Sequence, residues 1–192
     1  MTVEGHMQRG TPVAVVRTDW KNFFNSVARQ ACIEACAENA ATQHLVNGVW
    51  AELRHPTIVY SNGEVYTDND GTPITAQEGL PQGGPLSPML AAIAMLPMQR
   101  TLHTELCKHD GFTSAQMDDC LHVGKPEVLF PAVQEFITEV QNSLGVTCQM
   151  EKCVMWCPNS DITLPDFFEG MRTSTRTSNT TDDNYHGITI NE

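Results

Sequence analysis

Three carboxylates carry the chemistry this sequence could do. Asp118 and Asp119 stand side by side within AQMDDCLHVG, residues 115–124, among residues that favour a buried sheet. Adjacent carboxylates repel and resist desolvation, so a turn that presents both either serves a cation or sits in open water. Asp19 ends a β-branched run, TPVAVVRTD, that starts at Thr11. If both stretches belong to one sheet, the three acids can meet at its edge. Two divalent cations roughly 3.5–4 Å apart need such a cluster to activate an attacking oxygen and stabilise a leaving one during phosphoryl transfer. An Asp-Asp pair alone does not establish this. Asp182-Asp183 is another, in a Ser/Thr-rich stretch where solvated charge explains it, and a surface turn is the bland reading of Asp118-Asp119.

The elements that must position these acids follow from periodicity and turn chemistry. Residues 11–19 read as a buried strand with a polar end. Residues 25–53, rich in Ala, Glu, Gln and Leu, predict one or two helices broken near Asn47-Gly48. TIVY and EVYT flank Ser61-Asn62-Gly63, a strong hairpin signal. The Gly/Pro-rich loop of residues 78–85 leads to Ser87-Pro88, read as N-cap and first helical residue of a long apolar helix over 89–106 that Pro97 should kink. Residues 112–117 and 120–123 predict two strands joined by the acidic turn, 126–144 an amphipathic helix, and 146–156 a strand or hairpin. This order predicts an α+β fold: a split βαβ antiparallel sheet with helices packed on one face. Residues 172–184 (RTSTRTSNTTDDN) have the composition of disorder, and residues 185–190 recover a strand-like pattern.

Four segments occur in an order and spacing that resemble palm motifs A to D of reverse transcriptases, most closely those of non-LTR retrotransposons. They are TDWKNFFNSVAR (18–29), GLPQGGPLSP (79–88), MDD (117–119) and GVTCQMEKC (145–153). The resemblance spans residues 11–156. It implies a palm-like domain over 11–158, an N-terminal extension over 1–10, and a partly disordered tail over 159–192. It implies RNA-directed DNA synthesis with two Mg²⁺ or Mn²⁺ ions, and an RNA template, a DNA primer and dNTPs as partners. Asp19 would ligate both metals, with the Trp20 carbonyl adding a backbone oxygen; Asp118 would be the second metal-binding acid, and Asp119 would stand close by as a further metal-site acid. Phe24, five positions after Asp19, resembles the aromatic gate that excludes a ribose 2′-hydroxyl; as a lone Phe it is equally a core residue. Pro81, Gln82 and Gly83, followed by Gly84, would let backbone approach the nascent base pair. Lys152 resembles the motif D lysine, a proton donor to departing pyrophosphate, or else is a surface charge.

The sequence departs from the family pattern in three ways. Gln116 stands where an aromatic usually precedes the paired acids, and Gln149 where motif D commonly has Asn. Residues 2–10 are too few for a fingers region, and residues 185–190 resemble only the approach to motif E, so fingers and thumb are expected to lie in missing segments of a longer polyprotein. The net charge of −12, with 11 basic against 23 acidic side chains, is unusual for a nucleic-acid binder. It supports an alternative: a catalytically inactive retroelement remnant acting at most as an acidic interaction domain.

Other motifs carry less. Residues 66–77 fail as an EF-hand because Tyr66 and Gln77 occupy the first and last ligand positions. Cys32/Cys36, His103/Cys107 and Cys153/Cys157 lack the second pair that zinc needs. Seven cysteines suit reduced thiols, and no membrane span or signal peptide is indicated, so an intracellular, nuclear or cytoplasmic protein is expected.

Overall fold

A computed structural model describes residues 13–157 and 164–174. A five-stranded sheet in the order β6-β7-β1-β8-β9 forms its centre. β1 (Ala14–Thr18) lies in the middle, antiparallel to both β7 (Asp119–Gly124) and β8 (Val154–Trp156). β6 (Phe112–Gln116) pairs antiparallel with β7, while β9 (Arg172–Ser174) runs parallel to β8. The predicted α+β class forms, and the sheet is antiparallel as expected except for the parallel β8–β9 pair.

Alternation along β1 sets the two faces of the sheet. Ala14, Val16 and Thr18 are fully buried, while Val15, Arg17 and Asp19 are only partly covered. The buried face is roofed by two long helices, α4 (Ser87–Cys107) and α5 (Pro126–Leu144). α5 starts on Pro126 with Glu127 in its first turn and ends on Gly145 at φ 69°, so both ends obey local chemistry. Its Leu129, Val133, Phe136, Val140 and Leu144 form one buried stripe, each such side chain contributing about 1.5–3 kcal/mol of transfer free energy. Pro97 lies inside α4 without ending it.

Between β1 and α4 the chain forms α1 (Phe23–Ser26), α2 (Arg29–Glu38) and α3 (Val46–Leu53), then a small β insertion. The helical break falls at residues 39–42, where Asn39 and Thr42 bond the backbone locally, and not at Asn47-Gly48, which α3 contains. In the insertion, β3 (Tyr60–Ser61) and β4 (Glu64–Val65) form the predicted Asn62-Gly63 hairpin, both turn residues having positive φ. β2 (Thr57–Ile58), expected within the first half of that hairpin, pairs instead with β5 (Thr75–Ala76), a strand too short and exposed to show in the sequence pattern. Asp68 accepts the Asp70 and Thr72 amides, so the false EF-hand is a self-bonded turn.

Three further expectations are corrected. Ser87 is the first residue of α4 and caps nothing; its hydroxyl donates to the Pro81 carbonyl at 2.7 Å, tying helix to loop. Within 146–156 only β8 is a strand, preceded by a tight turn at Met150–Lys152. Residues 172–174, expected to be disordered, form β9, anchored by buried Phe168 and Met171 just before it. The strand-like pattern at 185–190 lies outside the described residues.

Candidate active site

The register of β1 against β7 determines what the acids can do. Thr18 is opposite Cys120 and Arg17 opposite Leu121, so one further step along β1 brings Asp19 beside Asp119 on the open face of the sheet. The β6–β7 connection is tighter than expected: Gln116 pairs with Asp119, leaving Met117-Asp118 as a two-residue loop. Asp119 therefore begins a strand. Met117 adopts φ 58°, a conformation a bulky side chain seldom takes, and is largely exposed.

Asp19 is held by its backbone. Its carbonyl accepts the Gln149 amide at 2.8 Å, and its own N–H donates to the Cys153 thiol at 3.3 Å. Burial raises its carboxyl above the ordinary aspartate range; Lys152 and Arg17 pull it back down, while Asp119 and Asp118 push it up. These influences bring all three acids and Lys152 into one electrostatic neighbourhood. Lys152 is exposed, on the turn that Gln149 anchors to Asp19. Next to Asp19, Trp20 buries its ring edge-on to Phe136, 5.8 Å between centroids. An isolated bridge joins Trp20 to Cys148, and its hydrogen bonds use Asp19 O and Lys21 N, leaving the Trp20 carbonyl unused by that bridge.

Phe24 and the Pro81–Gly83 loop also meet. Leu80 donates its N–H to the Phe24 carbonyl and Gly79 to that of Val27, so the loop is docked on α1. Phe24 is half-buried, its ring edge-on to Phe23; Gln82 and Gly83 are exposed, with Gly83 at φ 82°.

Four residues that matter here were not singled out from the sequence. Arg17 pairs with Asp119 at 2.7 Å, a diagonal cross-strand contact on the open face. Arg29, almost fully buried, donates to the carbonyls of Gly79, Leu53, His55, Ala76 and Glu78 and to the Thr57 hydroxyl, clamping the insertion and the loop to α2. Its helical position offers no signal for that role. Gly79, at φ 76°, has its Cα so close to Asn25 that a Cβ would meet the Asn25 carbonyl oxygen at 2.5 Å. On the buried face His122 bonds the Thr113 and Thr18 hydroxyls at 2.8 and 3.3 Å, and burial drives its pKa down to about 3.

Hard divalent cations take oxygen donors, and this edge offers two carboxylates, Asp19 and Asp118, with the Trp20 carbonyl nearby. Asp119 differs, because Arg17 occupies it. Among the described residues no three acidic, His or Cys side chains come together as a group that could hold a metal ion, so the donors match a hard cation in kind only, along an open edge.

The family model for reverse transcriptase (RNA-dependent DNA polymerase) matches residues 3–190. No curated protein matches the sequence. Among solved structures, apo telomerase from Candida tropicalis is similar at 13% identity and TM-score 0.61, over 81% of this chain and 30% of that one. Its form truncated from the C-terminal domain gives 15%, 0.53, 82% and 33%. The C. tropicalis telomerase in complex with a TWJ fragment of telomeric RNA gives 14%, 0.54, 81% and 28%. At such identities the likeness is one of fold, and this chain spans about a third or less of the telomerase chains. With the family model matched from residue 3 to residue 190, on a sheet that gathers three acids at one edge, the chain belongs to the reverse transcriptase (RNA-dependent DNA polymerase) family.

Proposed function

We propose that this chain is the palm of a retroelement RNA-directed DNA polymerase, joining a dNTP to a DNA primer on an RNA template by two-metal nucleotidyl transfer. The observation that carries the reading is the β1–β7 register, which seats Asp19 beside the Asp118-Asp119 hairpin on the face the helices leave open. Asp19, Asp118 and the Trp20 carbonyl would hold two Mg²⁺ or Mn²⁺ ions. When bound, these supply Lewis-acid activation of the attacking primer oxygen and charge neutralisation at the leaving pyrophosphate. Lys152, within electrostatic reach of Asp19, would give the leaving group its proton. Phe24, braced by Phe23 and by the docked loop, would stack under the sugar and leave no space for a 2′-hydroxyl, with Pro81, Gln82 and Gly83 supporting the nascent pair. Fingers and thumb would come from further segments of a polyprotein. Seven free thiols support a reducing, nuclear or cytoplasmic, setting.

The test is metal affinity. Mn²⁺ titration followed by electron paramagnetic resonance should show binding that is lost in Asp19→Asn and in Asp118→Asn. Unchanged affinity in both ends the two-metal reading.

A second reading, an inactive acidic remnant, is favoured by the charge of −12 and by Arg17 engaging Asp119. Primer extension on a homopolymer template separates the two, since incorporation by the purified chain refutes the remnant.

A further inference from the structure

Directly against the Asp19 backbone lies a chemical group the polymerase reading does not use. The sulfurs of Cys148 and Cys153 stand 3.4 Å apart, in a buried contact between two thiols. They bracket the turn that carries Lys152. That turn is tight because the Cys153 amide donates back to the carbonyls of Gln149 and Met150 at 3.2 and 3.0 Å. The pair also grips Asp19 from both sides of its peptide. Asp19 N–H donates to the Cys153 sulfur, and Gln149, which follows Cys148, donates to the Asp19 carbonyl.

A disulfide needs its sulfurs about 2.05 Å apart, so the thiols have only about 1.3 Å to close. The sequence could not reveal this pairing. Four-residue spacing on a helix would join Cys153 to Cys157, whereas the turn brings Cys153 to a cysteine five residues earlier.

We propose that Cys148 and Cys153 are a reversible thiol–disulfide site, oxidised by a small peroxide, whose state sets the position of Asp19 and Lys152. One of the two sulfurs attacks the peroxide and takes one oxygen, giving a sulfenic acid and releasing water. The other sulfur then attacks the sulfenic sulfur; the S–S bond forms, the S–O bond breaks, and the departing hydroxide leaves as water with the second thiol's proton. In sum two thiols lose two electrons and two protons, and one hydrogen peroxide becomes two waters. A dithiol reductant reverses the bond by thiol–disulfide exchange. Drawing the sulfurs together pulls the turn against β1, so the group that receives the Asp19 amide moves and the residues on either side of the site move with it. The link itself is independent of the polymerase reading; only its effect on metal binding rests on that reading.

The test uses the full chain treated with hydrogen peroxide, alkylated, digested and mapped by mass spectrometry. The expected product is an unalkylated peptide linking Cys148 to Cys153, removed by dithiothreitol, absent in Cys148→Ser and retained in Cys107→Ser. Recovery of both thiols in alkylated form, or oxidation that stops at sulfinic acid, overturns the site. Because a serine variant could misfold, the wild-type map decides by itself. Control of Asp19 is read by amide hydrogen exchange, where oxidation should change protection at Asp19 and Gln149; identical exchange in both states overturns it. Mn²⁺ affinity should also fall by on the order of tenfold on oxidation and return on reduction. If the reduced chain binds no Mn²⁺, the metal reading fails while peptide mapping and exchange still decide the thiol site.

Discussion

His122 is neutral in the fold because its surroundings forbid a charge. It stands edge-on to Phe136, with ring centroids 5.3 Å apart, and its two nitrogens are occupied by Thr113 and Thr18, the residue before Asp19. Gln99 extends this chain, accepting from Thr113 and donating to the Cys120 sulfur, so a polar strut runs from α4 through the sheet to the strand end that carries the site. The pKa of His122 is about 3 in the fold, against about 6.5 in an unfolded chain. Between these values the unfolded state binds more protons, so stability rises with pH; it is fully present above about 6.5 and lost as pH falls toward 3. The slope contributed is at most about 1.4 kcal/mol per pH unit. Asp19 works in the opposite sense, since its raised pKa lets the fold take up a proton before the unfolded chain does. Urea unfolding midpoints should therefore drop across that window, and His122→Gln, which keeps hydrogen bonding without titrating, should flatten the dependence.

At the scale of elements, the connection before α4 does the positioning. Gly79 and Leu80 add two backbone hydrogen bonds to the α1 turn, and Arg29 fastens the same segment from the other side, so Pro81–Gly83 cannot drift from Phe24. Gly79→Ala should be severe, because the new Cβ meets backbone that cannot yield and the residue sits at φ 76°. A loss of about 2–4 kcal/mol is expected in urea unfolding, against about 1 kcal/mol for Gly83→Ala, where φ is equally left-handed but nothing lies within 4 Å. The elements legible in the sequence are those with local punctuation: α5, between Pro126 and Gly145, has the expected bounds, and the Asn62-Gly63 hairpin turns where its dipeptide requires. What was not legible depends on tertiary partners. Whether Asp118-Asp119 or Met117-Asp118 forms the turn depends on Met117 accepting a left-handed backbone, which no propensity foretells. β9 exists because Phe168 packs on Phe130 of α5, and Arg29 looks like any helical arginine until five carbonyls surround it.

For the molecule as a whole, the asymmetry of the sheet and the charge of the chain pull in different directions. One face is sealed by α4 and α5, and the other presents Asp19, Asp119 and Arg17 beside partly covered Val15, Leu121, Val154 and Trp156. An open face of that kind suits a long ligand, yet Arg17, the arginine beside the acids, is already paired with one of them. Proteins that neutralise phosphates bind nucleic acid less tightly as salt rises, because released counterions drive association. With 23 acidic against 11 basic side chains, long-range repulsion should dominate here, and salt screens repulsion as effectively as attraction. Binding of a labelled RNA–DNA hybrid, followed by fluorescence anisotropy, should therefore be weaker than about 10⁻⁴ M near physiological ionic strength, and should strengthen or stay level as salt is raised. A steep loss of affinity with added salt would show instead that a cationic track exists on this chain, and that its negative total conceals a working grip on the duplex.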